Sequence, residues 1–211
     1  AKQQVSRVCA IDMPAGPREV LVMADATANP AFVAADMLSQ AEHGPDSQAM
    51  LVCNDEAFAK KVEAEVKAQT ARLSRADLVE QSLSHSRILV FPSREEMCEF
   101  SNAYAPEHLI IQTERPWELA VKVTAAGSVF VGPYSPESAG DYASGTNHTL
   151  PTGAWARSFS GVNLDSYFRK ITFQELTREG LSSLAPTIVA MAEAEGLQAH
   201  AEAVRVRTQN N

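Results

Sequence analysis

Two hydrophobic signals alternate along the chain. Short, continuously apolar runs at Glu19-Val20-Leu21-Val22-Met23, Met50-Leu51-Val52-Cys53, Ile88-Leu89-Val90-Phe91, Leu109-Ile110-Ile111 and Ser128-Val129-Phe130-Val131 have strand character. Between them lie segments of helical period. Asn29 at an N-cap and Pro30 at the first helical position open a helix from Ala31 to Gln40, with Phe32, Ala35 or Asp36, and Ser39 about a turn apart. Asn54-Asp55 caps a second helix that runs to Leu73, where Phe58, Val62 and Val66 recur every four residues. Arg75 to Leu83 reads as a surface helix, Ser93-Arg94-Glu95-Glu96 as a capping box opening a helix to about Asn102, and Pro116 as the start of one through Val123. Strands that are apolar throughout, instead of alternating, are buried on both faces. The pattern therefore predicts an α/β fold with a mainly parallel, doubly wound sheet, whose ligands are expected beyond the C-terminal ends of the strands. Past Gly161 the rhythm changes: Leu181 to Glu195 and Gln198 to Arg207 read as helices broken at Gly196. The expected division is an α/β domain over residues 1–160 and a helical tail over residues 161–211.

Composition narrows the partners. A chain of 211 residues, 45% hydrophobic, can bury a substantial core, and a net charge of -8 without a Lys/Arg run gives no electrostatic footprint for nucleic acid or an anionic membrane. A small molecule is the expected ligand. Cys9, Cys53 and Cys98 are widely spaced and odd in number, which reads as free thiols buried in the core of a protein from a reducing compartment, the cytoplasm. There is no apolar run of about 20 residues to span a bilayer, and the first residues have no secretory character. Ala1-Lys2-Gln3-Gln4-Val5 resembles the middle of an amphipathic helix, so the chain is expected to be a piece of a longer polypeptide.

Candidate chemistry concentrates between Pro136 and Thr152. Six of the ten glycines lie between Gly127 and Gly161, and this stretch adds a carboxylate, hydroxyls, an amide and a histidine to that backbone freedom, as a polar ligand site requires. Asp141, Ser144 and His148 are spaced by three and four, which admits a serine nucleophile with its base. A triad within eight residues is cramped, however, and no Gly-x-Ser-x-Gly elbow occurs. Gln40 and His43 stand three apart at a helix end, where they can share a zinc or manganese ion or, with Gly44-Pro45, simply cap the helix. Glu107-His108 supplies two bases of different strength if the turn at Pro106 twists the chain enough to aim both at one ligand; otherwise it is a loop ion pair. His85, between two serines, reads as a solvated loop residue. His200, five residues after Glu195, reaches a site only by folding back or by crossing to another subunit.

Several of these segments together resemble the histidinol dehydrogenase family. They are Ile11-Asp12-Met13-Pro14-Ala15-Gly16-Pro17, Leu38-Ser39-Gln40-Ala41-Glu42-His43-Gly44-Pro45-Asp46-Ser47-Gln48, Pro106-Glu107-His108-Leu109, Ser135-Pro136-Glu137-Ser138-Ala139-Gly140-Asp141-Tyr142-Ala143-Ser144-Gly145-Thr146-Asn147-His148 and Ala199-His200. The resemblance implies NAD-dependent oxidation of L-histidinol to L-histidine through histidinaldehyde, on an aldehyde-dehydrogenase-like scaffold, in an intertwined homodimer with one zinc per site. It covers what looks like the C-terminal half of a member, the main dinucleotide contacts coming from upstream of Ala1. By matching motif, Gln40, His43 and Asp141 are the implied zinc ligands of one subunit and His200 the ligand given by the tail of the other. The implied metal orients the substrate through its imidazole and amino nitrogens. Glu107 is implied to activate the water that hydrates the aldehyde, and His108 to accept the alcohol and hydrate protons. The expectation is an ionised Glu107 and a His108 near the ordinary imidazole pKa of about 6.5. His148 and Glu195 are the implied further substrate contacts. Arg18 departs from the family pattern, which has a substrate-touching serine there. Two readings follow: the zinc-site half of a histidinol dehydrogenase acting within a longer polypeptide, or a stand-alone metal-binding, dimerising paralogue without redox activity.

Overall fold

Side-chain caps start the helices where the sequence places them. Asn29 Oδ1 accepts from the Ala31 amide at 2.9 Å, Asp55 Oδ1 from Phe58 at 2.5 Å and Ser93 Oγ from Glu96 at 3.2 Å. A computed structural model describes residues 2–5, 8–9 and 11–209, and it divides into two compact units, Ala1–Tyr167 and Phe168–Asn211.

The first unit begins with a single helical turn, α1 (Lys2–Val5), and continues as β1 (Glu19–Ala24), α2 (Pro30–Ala41), β2 (Gln48–Cys53), α3 (Glu56–Thr70), α4 (Ala76–Ser84), β3 (Arg87–Val90), α5 (Arg94–Tyr104), β4 (His108–Gln112), α6 (Pro116–Ala120), β5 (Ser128–Val131) and α7 (Glu137–Tyr142). The strands form one parallel sheet in the order β3-β2-β1-β4-β5. Alternate residues of each strand feed separate cores. Val20, Val22, Leu51 and Ile110 pack with Val33, Met37, Phe58, Val62 and Val79 from α2, α3 and α4. Leu21, Met23, Val52, Leu109 and Ile111 pack on the other face with Met97 and Cys98 of α5 and Leu119 of α6. This is the doubly wound α/β arrangement that continuously apolar strands predict.

Three local expectations are corrected. Helix α3 stops before Leu73 and α6 before Val123, because the chain tightens into closures over three residues: Leu73 N to Thr70 O, and Val123 N to Ala120 O. Helix α2 buries Val33, Ala34, Met37, Leu38 and Ala41, leaving Phe32 exposed, so its inner face is turned from the predicted one. Cys53 and Cys98 are buried, but Cys9 is exposed beside α1 and is no core thiol.

In the second unit, Thr177 Oγ1 accepts from Gly180 N at 3.1 Å and starts α8 (Arg178–Ala194) ahead of the expected Leu181. Gly196, at φ 74°, turns the chain into α9 (Gln198–Thr208), where Arg205 pairs with Glu193 across the two helices. No helix among the described residues is long and apolar enough to cross a membrane.

One buried polar pair ties α2 to the end of β4. Gln112 Nε2 donates to Asp36 Oδ2 at 2.6 Å, whereas Gln112 Oε1 has no partner. Burial, only partly opposed by that hydrogen bond, pushes the Asp36 carboxyl up from 3.8 to about 7. A protonated Asp36 carries the kind of donor that Gln112 Oε1 lacks. Because the folded-state value is raised, the folded chain holds a proton that the unfolded chain releases, and this stabilisation is lost as pH rises toward 7. Relative to Asp36→Asn, the metal-free wild-type chain is expected to lose about 1 kcal/mol of unfolding free energy per pH unit between about pH 4 and pH 7. Denaturant melts across that range check this, and parallel curves for the two proteins would rule it out.

Candidate active site

The candidate residues gather where the strands begin. Glu19 opens β1, His108 opens β4, and Gln40 lies in the last turn of α2. This corrects the expectation of a site beyond the strand C-terminal ends. In a parallel sheet each crossover helix runs back against the strands, so strand starts share an edge with helix C-termini. At that edge the helix carbonyls present partial negative charge, which favours a cation. The opposite edge is closed by Asp25, whose carboxylate accepts from the amides of Thr27 at 3.1 Å and Glu114 at 3.0 Å.

Strand register brings the two proposed bases into place. Val20 of β1 pairs with His108 of β4, and the amide of Glu19 donates to Glu107 Oε2 at 3.0 Å. Ahead of them Ala105 adopts φ 54°, and this left-handed residue before Pro106 supplies the twist that lets adjacent side chains converge. A close backbone approach fixes the turn. Gly127 N donates to Pro106 O at 2.9 Å, and a Cβ on residue 127 would stand 2.5 Å from Glu107 O.

Helix α7 closes the cluster. Gly140 lies on the Phe130 ring, where a Cβ would come within 2.5 Å of a ring carbon. Glu137 and Asp141, four apart, therefore face His108 together: His108 Nδ1 is 3.6 Å from Glu137 Oε1 and 3.7 Å from Glu107 Oε2, and Nε2 is 3.9 Å from Asp141 Oδ1. Those separations exceed hydrogen bonds, and both ring nitrogens are buried without a partner. Oriented with its nitrogen toward Glu137, the buried Gln40 amide donates to both carboxylate oxygens at 3.2 Å. His43 follows in the turn after α2, and ligand atoms of His43, Glu137 and Asp141 all lie within 4.8 Å of one another. Glu137 is the member that the sequence reading missed. Its signal is the spacing of four to Asp141 on a helix opened by Pro136.

Other candidates stand apart. Helix α7 ends at Tyr142 and Ser144 N turns back to Ala139 O at 2.7 Å, so no helical turn aligns Asp141, Ser144 and His148. Ser144 Oγ lies 3.5 Å from Thr146 Oγ1, and the triad alternative falls away. His148 is exposed, and no hydrogen bond or ion pair among the described residues ties it to His108 or Asp141. Glu195, at the end of α8, and His200, on α9, are both exposed and belong to the second unit.

Burial also overturns two electrostatic expectations. Desolvation raises Glu107 to about 7, against the Glu19 amide and Arg18, so it is not simply ionised at neutral pH. Desolvation lowers His108 from 6.5 to about 4, leaving a neutral imidazole far from its ordinary value. Glu137 rises to about 8, first through burial and then through Asp141 and Glu107. Such a cluster is short of positive charge. Carboxylates, an imidazole and an amide, with two unpartnered buried nitrogens beside them, form a donor set that fits a divalent cation such as zinc or manganese.

A sequence profile of the histidinol dehydrogenase family matches residues 1–208. The chain is 58% identical over 208 residues to the histidinol dehydrogenase of Bacteroides fragilis strain YCH46, covering 98% of this chain and 49% of the relative. It is 56% identical over 210 residues to a putative histidine biosynthesis bifunctional protein HisCD of Photorhabdus laumondii, covering 98% of this chain and 26% of that protein. A crystal structure of histidinol dehydrogenase from Elizabethkingia anophelis superposes with a TM-score of 0.93 at 55% identity, over 98% of this chain and 48% of that one. The chain thus spans about half the length of the histidinol dehydrogenases it matches. Profile, relatives and fold agree: the chain belongs to the histidinol dehydrogenase family.

Proposed function

We propose that this chain carries the metal-binding and proton-transfer part of an NAD-dependent histidinol dehydrogenase, oxidising L-histidinol to L-histidine through histidinaldehyde in the cytoplasm. The observation that carries this reading is the buried, unpartnered His108 between Glu107, Glu137 and Asp141, with Gln40 and His43 alongside. Gln40, His43 and Asp141 would hold zinc, with His200 supplied by the tail of a second subunit; Glu137 adjoins them. The bound ion would supply a Lewis acid that orients the substrate, and a dinucleotide the hydride acceptor.

The chain's own groups divide the proton work. His108 is held neutral by burial, so one ring nitrogen keeps its N–H while the other keeps a free lone pair, and that second nitrogen accepts the substrate hydroxyl proton. Glu107 sits near 7, which suits a group that takes a proton from the hydrating water and returns it to solvent better than a fully ionised carboxylate would. Glu137 anchors the Gln40 amide and faces His108 Nδ1, so it is a positioning residue for both. His148 and Glu195 are further substrate contacts in this reading.

The direct test puts this chain in place of the matching stretch of the Bacteroides fragilis relative. NADH formation from L-histidinol is expected, and a folded, zinc-loaded chimera without it would refute the reading. In that chimera Glu107→Gln is expected to slow the aldehyde-to-acid half about a hundredfold while sparing the alcohol half; equal losses in single-turnover assays of the two halves would reject this division of labour. Donation of His200 between subunits makes a separate prediction. Mixing Asp141→Ala and His200→Ala subunits in equal amounts should restore zinc binding above either parent, and no recovery would sink the exchange.

A further inference from the structure

Arg18 is the feature of this cluster that the proposed chemistry does not use. Its Nη1 lies 3.4 Å from Asp141 Oδ2, and the side chain is only 32% exposed. The backbone that launches it is fixed: Arg18 O accepts from Gln48 N at 3.0 Å, and the next residue, Glu19, donates to Glu107. The guanidinium thus approaches Asp141 from a fixed root. It shares a cleft of about 250 Å³ with His43, across Gly44-Pro45. An arginine keeps its charge at any pH at which the protein is folded, so the chain's own cation stands beside the carboxylate that the metal reading assigns to zinc.

The contact is also weak enough to yield. One of five N–H donors meets Asp141 at a distance near the limit of a hydrogen bond, without the bidentate fork of a strong arginine–carboxylate pair. Displacing it frees Asp141, but the charge remains tethered beside the ion that replaces it.

We propose that Arg18 is a built-in competitor of the metal, pairing with Asp141 when the cation is absent and lowering the affinity of the site for zinc, so that the site exchanges metal instead of holding it permanently. This rests on the metal reading of Gln40, His43 and Asp141, and the experiment separates the two. Zinc affinity of the full 211-residue chain is measured by competition with a chromophoric chelator for wild type, Arg18→Ser, Arg18→Met and Arg18→Lys, each with and without Asp141→Asn, with circular dichroism confirming the fold. Both neutral variants are expected to bind zinc about tenfold or more tightly than wild type, as removal of a like charge at this range predicts. Arg18→Lys should stay near wild type, and Asp141→Asn should remove the gain. Arg18→Met keeps the aliphatic stem and serves if the serine variant does not fold. Neutral variants that bind no more tightly than wild type, while Asp141→Asn weakens binding, overturn the role of Arg18 and leave the metal reading standing. Zinc binding that Asp141→Asn leaves unchanged overturns both.

Discussion

The pairing of β1 with β4 is the constraint on which the site depends. Both are central strands, and their register sets Val20 opposite His108. A slip of one residue would turn Ile110 and His108 to the opposite core and take the Glu19 amide away from Glu107. The register is therefore held by burial on both faces of the sheet, and the geometry of the candidate site inherits its precision from hydrophobic packing. Helices α2 and α7 add the remaining groups on the face that Ile110 and Phe130 already define.

The fold was legible because a parallel sheet writes its strands as unbroken apolar runs and because Asn29, Asp55 and Ser93 announce helix starts. The spacing of Gln40 and His43 left a shared ion and a simple helix cap equally open, whereas the twist before Glu107 could also be anticipated, at Pro106. Three things could not. Which edge of the sheet carries the site depends on which polar residues stand at strand starts, and a general rule about switch points does not report that. Rotation of α2 toward Val33 instead of Phe32 is decided by the neighbouring α3 and the sheet, not by the helix itself. The inverted acidities of Glu107 and His108 follow from burial, which no single residue type displays in advance.

That burial sets the metal-free state against itself. Three carboxylates surround an imidazole held neutral, and the fold tolerates them by raising Glu107 and Glu137 through burial, which favours their protonated forms, and by leaning Arg18 on Asp141. The cluster is a local source of instability, which the extensive cores on either side of the sheet can absorb.

The contact between Gly140 and Phe130 carries a consequence for how this sequence can change. A six-residue helix is too short to hold its own shape and takes its position from the ring beneath it. Residues 130 and 140 are thus a matched pair of large and absent side chains. Enlarging the glycine demands a smaller partner on β5 and a shift of Thr146, whose Oγ1 would stand 2.9 Å from the added Cβ, so drift at residue 140 is confined to exchanges in which its neighbours move with it.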